Sequence, residues 1–335
     1  MMSQPRYFAR VLIVTMLTIG VVWAGYTAAL LHLRKPGPLT QPVEVVLPKG
    51  ASSADIADLL AAAGVIDNTF WFRVAVKLTF SEIVLKAGEY RFEPKMTVLH
   101  VIRKITGGDV IDRRVTLPEG LTTAEITRRL METEGLYGPP LSFGEGALLP
   151  ETYKFRYGDK RLDIMRRMAD NMNEAVEKAW AQRDPGLPLN TPLELLTLAS
   201  IVEKETSLDS ERALIAGVYI NRLKKGMKLQ ADPTVIYGAS DYEGDITRAH
   251  LKEDHAYNTY VVEGLPPGPI CNPGRASLMA TARPAKTDYL FFVADGKGGH
   301  FFSRTYDEHR AHVRRLMGKD MPPAAPAPSP AATKL

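Results

Sequence analysis

Thr191–Tyr237 reads TPLELLTLASIVEKETSLDSERALIAGVYINRLKKGMKLQADPTVIY. Thr191 is a capping residue, Pro192 takes the first helical position, and Glu194 stands where a capping box places its acid. The run that follows is apolar until Glu203, Lys204 and Glu205. On an α-helix, residues three, four and seven apart share a face. Counting back from Glu205 gives Val202, Ile201 and Leu198, all apolar; counting back from Glu203 gives Ser200, Ala199 and Leu196. The two acids project about 200° apart around the axis. The pattern therefore predicts that Glu205 continues the buried stripe and that Glu203 turns to solvent beside Lys204. An acid at the end of an apolar stripe is commonly a structural group that caps a loop or pairs with an arginine. The same surroundings also keep a carboxyl neutral near neutral pH, as a general acid requires. A second helix is expected over Glu211–Lys225, ended by Gly226.

Working outward, the 335 residues suit two or three domains. Hydrophobic residues make up 45% and charged residues 24%, ordinary globular values. The net charge is +4, and no basic stripe with interleaved aromatics argues for nucleic acid. A single cysteine, Cys271, excludes an internal disulfide and a thiolate zinc site.

Val11–Leu33 has no Asp, Glu, Lys or Arg. At about 1.5 Å per residue it is long enough to cross a bilayer core of roughly 30 Å. It is longer than the apolar part of a signal peptide and lacks a clear A-x-A site before Arg34. The expectation is a retained single-pass helix over 11–33. Arg6 and Arg10 precede it and Arg34 and Lys35 follow, so the charge rule is nearly balanced; the short N-terminus with its free amine favours N-in.

Pro36–Pro42 reads as a linker. Val45–Leu60 (VVLPKGASSADIADLL) and Val115–Leu130 (VTLPEGLTTAEITRRL) are copies of one pattern. Each is a short β-type run, a Pro-x-Gly turn, a Ser/Thr cap and an amphipathic helix. Gly88–Ile105 follows a similar plan, so small βα modules in series are expected over 43–135. Leu141–Gly158 reads as a structured loop, and Ile164–Gln182 as a helix whose Met165, Met168, Met172 and Ala175 pack a core. His300, His309 and His312 lie close together, but no acid or Cys cluster with ligand spacing accompanies them, so no metal is expected. Met321–Leu335 is low-complexity and expected to be disordered, within a tail over 319–335.

Ala199–Thr206, Asn221–Leu223, Leu229–Val235 with Tyr237–Gly238, Ala256–Tyr260, Gly264–Ile270, Asn272–Gly274 and Phe292–Gly296 together resemble the MltG/YceG family of membrane-anchored endolytic murein transglycosylases. The motifs occur in the family's order, and the likeness runs from the N-terminal anchor to about His309. The resemblance implies a catalytic acid at Glu205, a YceG-like α/β catalytic domain over 136–318 with a lysozyme-like catalytic helix, and no cofactor. It also implies a lyase that cleaves the MurNAc–GlcNAc bond of nascent strands to 1,6-anhydro ends, using one carboxylate where ordinary glycosidases use two. The segment 86–108 resembles a LysM-like glycan-binding unit. Gln230 and Asp232 are expected to line the cleft, although Asp232–Pro233 also suits a turn or cap. The same motif contains Thr234 and Tyr237 as further candidates. Asn258, Thr259 and Tyr260 suit sugar binding or an ordered loop, and the four prolines of Gly264–Gly274 suit a stiff groove wall or a rigid connection. Implied partners are peptidoglycan strands, the membrane, and penicillin-binding proteins or other glycan polymerases; the implied place is the inner membrane, with residues 1–10 cytoplasmic and the catalytic domain periplasmic. The alternative is a non-catalytic peptidoglycan-binding scaffold. A pyridoxal-dependent aminodeoxychorismate lyase is disfavoured because Lys204 faces away from the apolar stripe.

Overall fold

The structure, a computed structural model, describes residues 4–79, 84–239 and 244–317. The tail over 319–335 lies outside them. The chain is mixed α/β and divides into two compact units.

The first unit holds residues 1–114 with 134–137 and 154–159. Helix α1 (Gln4–Arg34) contains an apolar stretch, Phe8–Arg34, of 27 residues and mean hydropathy 1.9. That length and composition suit a membrane span or a signal sequence. Its threonine hydroxyls donate to carbonyls one turn back, Thr15 to Val11 and Thr18 to Val14, so the polar groups are satisfied within the helix. Next come β1 (Val43–Leu47), α2 (Ser53–Ala62), α3 (Thr69–Thr79), β2 (Gly88–Phe92) and α4 (Val98–Gly107). Ser52 caps α2 in a capping box with Asp55, and Thr97 caps α4. β1 pairs antiparallel with β2, Val45 opposite Tyr90. The segment 86–108 therefore completes its strand pairing with the first copy of the repeat. Leu47, Leu60, Phe72, Tyr90, Phe92 and Ile102 form the core. Buried Glu89 accepts a bidentate pair from Arg113, at 2.7 and 2.8 Å.

β3 (Asp112–Thr116) and α5 (Thr123–Glu132) carry the second copy of the repeat, with Thr122 and Glu125 in its capping box. Val115–Thr133 belongs to the second unit, so the two copies fall in different compact units. β4 (Leu136–Tyr137) follows. The segment read as a loop over Leu141–Gly158 contains a strand, β5 (Thr152–Arg156), which pairs with β3. Alternating Tyr153 and Phe155 are buried on it, a period-two pattern too short to register among the turn residues. β6 (Asp159–Lys160) leads to α6 (Arg161–Ala181), α7 (Pro192–Glu205), α8 (Asp209–Lys224), α9 (Asp232–Gly238) and α10 (Arg275–Ala282). β7 (Phe291–Ala294) and β8 (His300–Ser303) form an antiparallel hairpin, and α11 (Tyr306–Leu316) follows.

α7 is the centre of the second unit. Every residue from Leu195 to Val202 is buried, and α6, α8, α9 and α10 all contact it. Met165, Met168, Met172 and Ala175 of α6 are buried as predicted.

Candidate active site

The cap of α7 differs in one detail from the sequence expectation. Thr191 accepts from the Glu194 amide, but the Glu194 carboxylate accepts from Asn190 N at 2.6 Å, one residue before the cap.

A larger correction concerns Glu203. Its side chain is 6% exposed, not solvated. One carboxylate oxygen lies 3.4 Å from Arg212 and the other accepts from Gly274 N at 2.9 Å. The stripe argument assumed a helix with a wet side. A helix apolar all round is surrounded by protein, so both faces are interior. An acid on either face then needs partners.

Glu205 closes α7 and forms part of the wall of a cavity of about 280 Å³, at the small end for ligand sites. Burial raises its carboxyl to about 7. The Tyr219 hydroxyl, which donates to Glu205 Oε1, and the nearby Arg222 charge pull the other way, while Asp232 adds to the rise. Tyr219 is itself held well above the ordinary phenol range, chiefly by burial and then by Glu205, so it remains a donor. Arg222 is buried beneath the site. Its Nε donates to Leu290 O at 2.7 Å and its Nη1 to Leu229 O at 2.7 Å and Gln230 Oε1 at 3.2 Å. It is thereby fixed as a source of positive potential without a direct bond to Glu205.

Gln230, Asp232 and Tyr260 line the same cavity, as the sequence suggested. Gln230 has φ +51, a left-handed conformation unusual for a residue with a side chain. Tyr260 donates its hydroxyl to Asp232 Oδ1 at 2.6 Å, and burial raises that phenol. Thr234, Asn258 and Thr259 lie elsewhere, fully buried. Thr259 Oγ1 accepts from Ala231 N and bonds Thr234 Oγ1 at 2.8 Å. Asn258 donates to His250 O and Glu253 O. Thr259 and Thr234 hold the strained turn from which Gln230 and Asp232 project, while Asn258 ties its own loop to His250 and Glu253. Tyr237 lines a separate cavity of about 740 Å³ with Phe143, Arg128 and Glu145. Burial and Glu145 raise it to about 12.

The proline-rich run does not form a wall of the Glu205 cavity. Ile270 N donates to Ser200 Oγ and Cys271 Sγ to Ser200 O, so the run is a buried strap on α7. Its small residues and fixed φ angles let backbone pack against helix where flexible side chains would not fit.

Tyr219, Arg222, Phe292 and His300 also line the cavity and escaped the sequence reading as site residues. Tyr219 and Arg222 stand three apart on α8, a polar pair on one face, both among its buried residues. That spacing was the available signal. His300 Nδ1 lies 2.7 Å from Glu211 Oε2, while His309 stacks on Phe291 and His312 on Phe301. Among the described residues no cluster of three His, Cys, Asp or Glu could hold a metal.

The fold and site define an α/β protein with an N-terminal apolar helix and one proton-bearing glutamate in a polar cavity. The sequence profile of the YceG-like family matches residues 45–315, and the chain belongs to that family. It is 31% identical over 300 residues to the endolytic murein transglycosylase of Bacillus subtilis (strain 168), covering 80% of this chain and 82% of that protein. It is 25% identical over 321 residues to the endolytic murein transglycosylase of Streptococcus pneumoniae serotype 2 (strain D39 / NCTC 7466), but spans only 58% of that protein's length. The 2.6 Å crystal structure of a YceG-like protein of Listeria monocytogenes aligns over 81% of this chain and 99% of that one, with TM-score 0.50 and 31% identity.

Proposed function

We propose that this chain is a membrane-anchored endolytic murein transglycosylase, a lyase that cuts MurNAc–GlcNAc bonds of nascent glycan strands and leaves 1,6-anhydro ends. The observation that carries the reading is Glu205, whose carboxyl is raised to about 7 on the wall of a polar cavity. At neutral pH about half of such a group holds its proton. Tyr219 donates to Oε1, which leaves Oε2 to carry that proton toward the glycosidic oxygen. As the C1–O bond breaks, positive charge grows on the sugar. The Asp232 carboxylate on the same wall favours that charge. The sugar's own C6 hydroxyl then closes onto C1, and the vacated Glu205 carboxylate is one acceptor for its proton. The roles of Gln230 and Tyr260 as sugar contacts, and of Thr234, Asn258 and Thr259 as supports of that wall, belong to this proposal. So does Tyr237 as a contact outside the Glu205 cavity.

α7, capped by Thr191 and ending on the acid, fits a lysozyme-like catalytic helix. The strand, turn and helix of 86–108 fit a LysM-like glycan contact. α1 would hold the protein in the inner membrane with its N-terminus inside and the catalytic part in the periplasm, beside glycan polymerases such as penicillin-binding proteins. The boundaries 1–10, 11–33, 34–42, 43–135, 136–318 and 319–335 go with this arrangement.

The test is muropeptide analysis of purified sacculi treated with the wild type and with Glu205→Gln. The variant is expected to bind glycan and release no 1,6-anhydro ends. Unchanged release would sink the assignment, and glycan binding without release by the wild type would favour a scaffold.

A further inference from the structure

Glu211 in the first turn of α8 and His300 at the start of β8 are 89 positions apart and meet as a pair. The Glu211 carboxylate accepts from His300 N at 2.9 Å and from His300 Nδ1 at 2.7 Å, and both side chains are mostly buried. The carboxylate thus engages the Nδ1 edge of the ring and leaves Nε2 as the nitrogen without a bond to Glu211. The hairpin turn is built around this contact. Asp295 Oδ1 accepts from Lys297 N and Gly299 N, and Gly296 and Gly298 take left-handed angles. A Cβ on Gly299 would come within 2.9 Å of Glu211 Oε1, so glycine there lets the carboxylate reach the histidine. Phe292 fixes the ring edge-on, with centroids 5.3 Å apart. His300 and Glu205 both line the same small cavity, so one ligand entering it meets both residues.

We propose that His300, oriented by Glu211, is the base that takes the proton of the attacking sugar hydroxyl, while Glu205 acts as the acid. This rests on the transglycosylase reading of the site. The C1–O bond breaks, its electron pair goes to the leaving oxygen, and that oxygen takes the proton of Glu205. The C6 oxygen forms its bond to C1, and its proton passes to His300 Nε2. The imidazolium is stabilised by the Glu211 carboxylate and then gives its proton to solvent in the cleft, which returns one proton to Glu205. An acid and a base on separate groups let each hold the protonation state its step needs.

The full-length protein in detergent is assayed on sacculi, with new ends sorted into 1,6-anhydro and reducing. His300→Gln is expected to lower turnover about 100-fold with binding of sacculi retained. Water should then compete for the sugar cation, so the share of reducing ends rises. Added imidazole should restore part of the rate to His300→Gly. Glu211→Gln leaves the ring in place without its charge partner and should lose turnover by about 10-fold, a second measure should the histidine variants fail to fold. Wild-type rate and product ratio in folded His300→Gln would overturn the proposal. So would a lost rate with an unchanged end ratio and no imidazole rescue, or a wild-type rate in Glu211→Gln. If Glu205→Gln still yields anhydro ends, the site reading itself fails. If Glu205→Gln is silent while the histidine variants are normal, only this inference fails.

Discussion

Glu203 and Glu205 leave the end of α7 two residues apart and meet opposite surroundings. Glu203 has the buried Arg212 guanidinium and a backbone amide, while Glu205 has a phenol and a polar cavity. The consequences differ with pH. The folded value of Glu205, about 7, lies above the ordinary 4.5. Its ionised form therefore costs stability above pH 4.5, with the full cost reached past 7 and none well below 4.5. Glu205→Gln should raise the unfolding free energy read from urea titration at pH 8, by up to about 3 kcal/mol, and change little at pH 4. Glu203→Ala should do the reverse and destabilise by about 3 kcal/mol at pH 7, since it strips a partner from a buried arginine. With Glu205 as the proposed acid, wild-type kcat/KM should fall as pH rises through about 7, since that role requires the protonated carboxyl. Tyr219 lowers the Glu205 value, so Tyr219→Phe should move that falling limb to higher pH. A limb that stays in place would separate Tyr219 from the acid. Periodicity singled out Glu205 as a candidate, since an acid ending an apolar stripe is visible in the letters, but its contrast with a solvated Glu203 does not hold. The partners of Glu203 were invisible, because Gly274 N is 71 residues away and Arg212 lies on the next helix.

At the scale of elements, caps were the most legible feature. Thr191, Thr97, Ser52 and Thr122 all accept from the amide that the sequence pattern assigns them. Thr191→Ala should cost about 1 kcal/mol, read as a lower thermal midpoint with the cavity intact. In the sequence the β7–β8 hairpin shows only as the Phe292–Gly296 motif, and no periodic signal marks it as a wall of the site. Its importance comes from pairing with α8, a contact between segments far apart in sequence. The strap at Gly264–Gly274 suits a groove wall or a rigid connection in the sequence, because prolines give rigidity without saying which side packs. Ser200 decides it, by taking both Ile270 and Cys271 onto α7.

At the scale of the whole molecule, α1 stands out: its apolar stretch is exposed along its length, while Leu33 at its end is buried in the first unit's core. Carbonate-washed membranes should retain the full chain, and a chain beginning at residue 35 should appear in the soluble fraction. Recovery of the full chain in the soluble fraction would count against the anchor. The chain forms two compact units, and the repeat that looked like a series of equal modules is divided between them. Internal similarity records common local structure; which unit a copy joins depends on the apolar surface it meets.

The sequence by itself determined the apolar helix, the capped helices and the family likeness, and marked Glu205 as a candidate, because each rests on residues close together in the chain or in a fixed order. The tertiary structure alone decided the burial of Glu203, the location of Tyr237 outside the Glu205 cavity, and the meeting of Tyr219, Arg222 and His300 around the acid. These depend on which distant segments surround α7, and a helix wrapped on every side offers no polar face for periodicity to read.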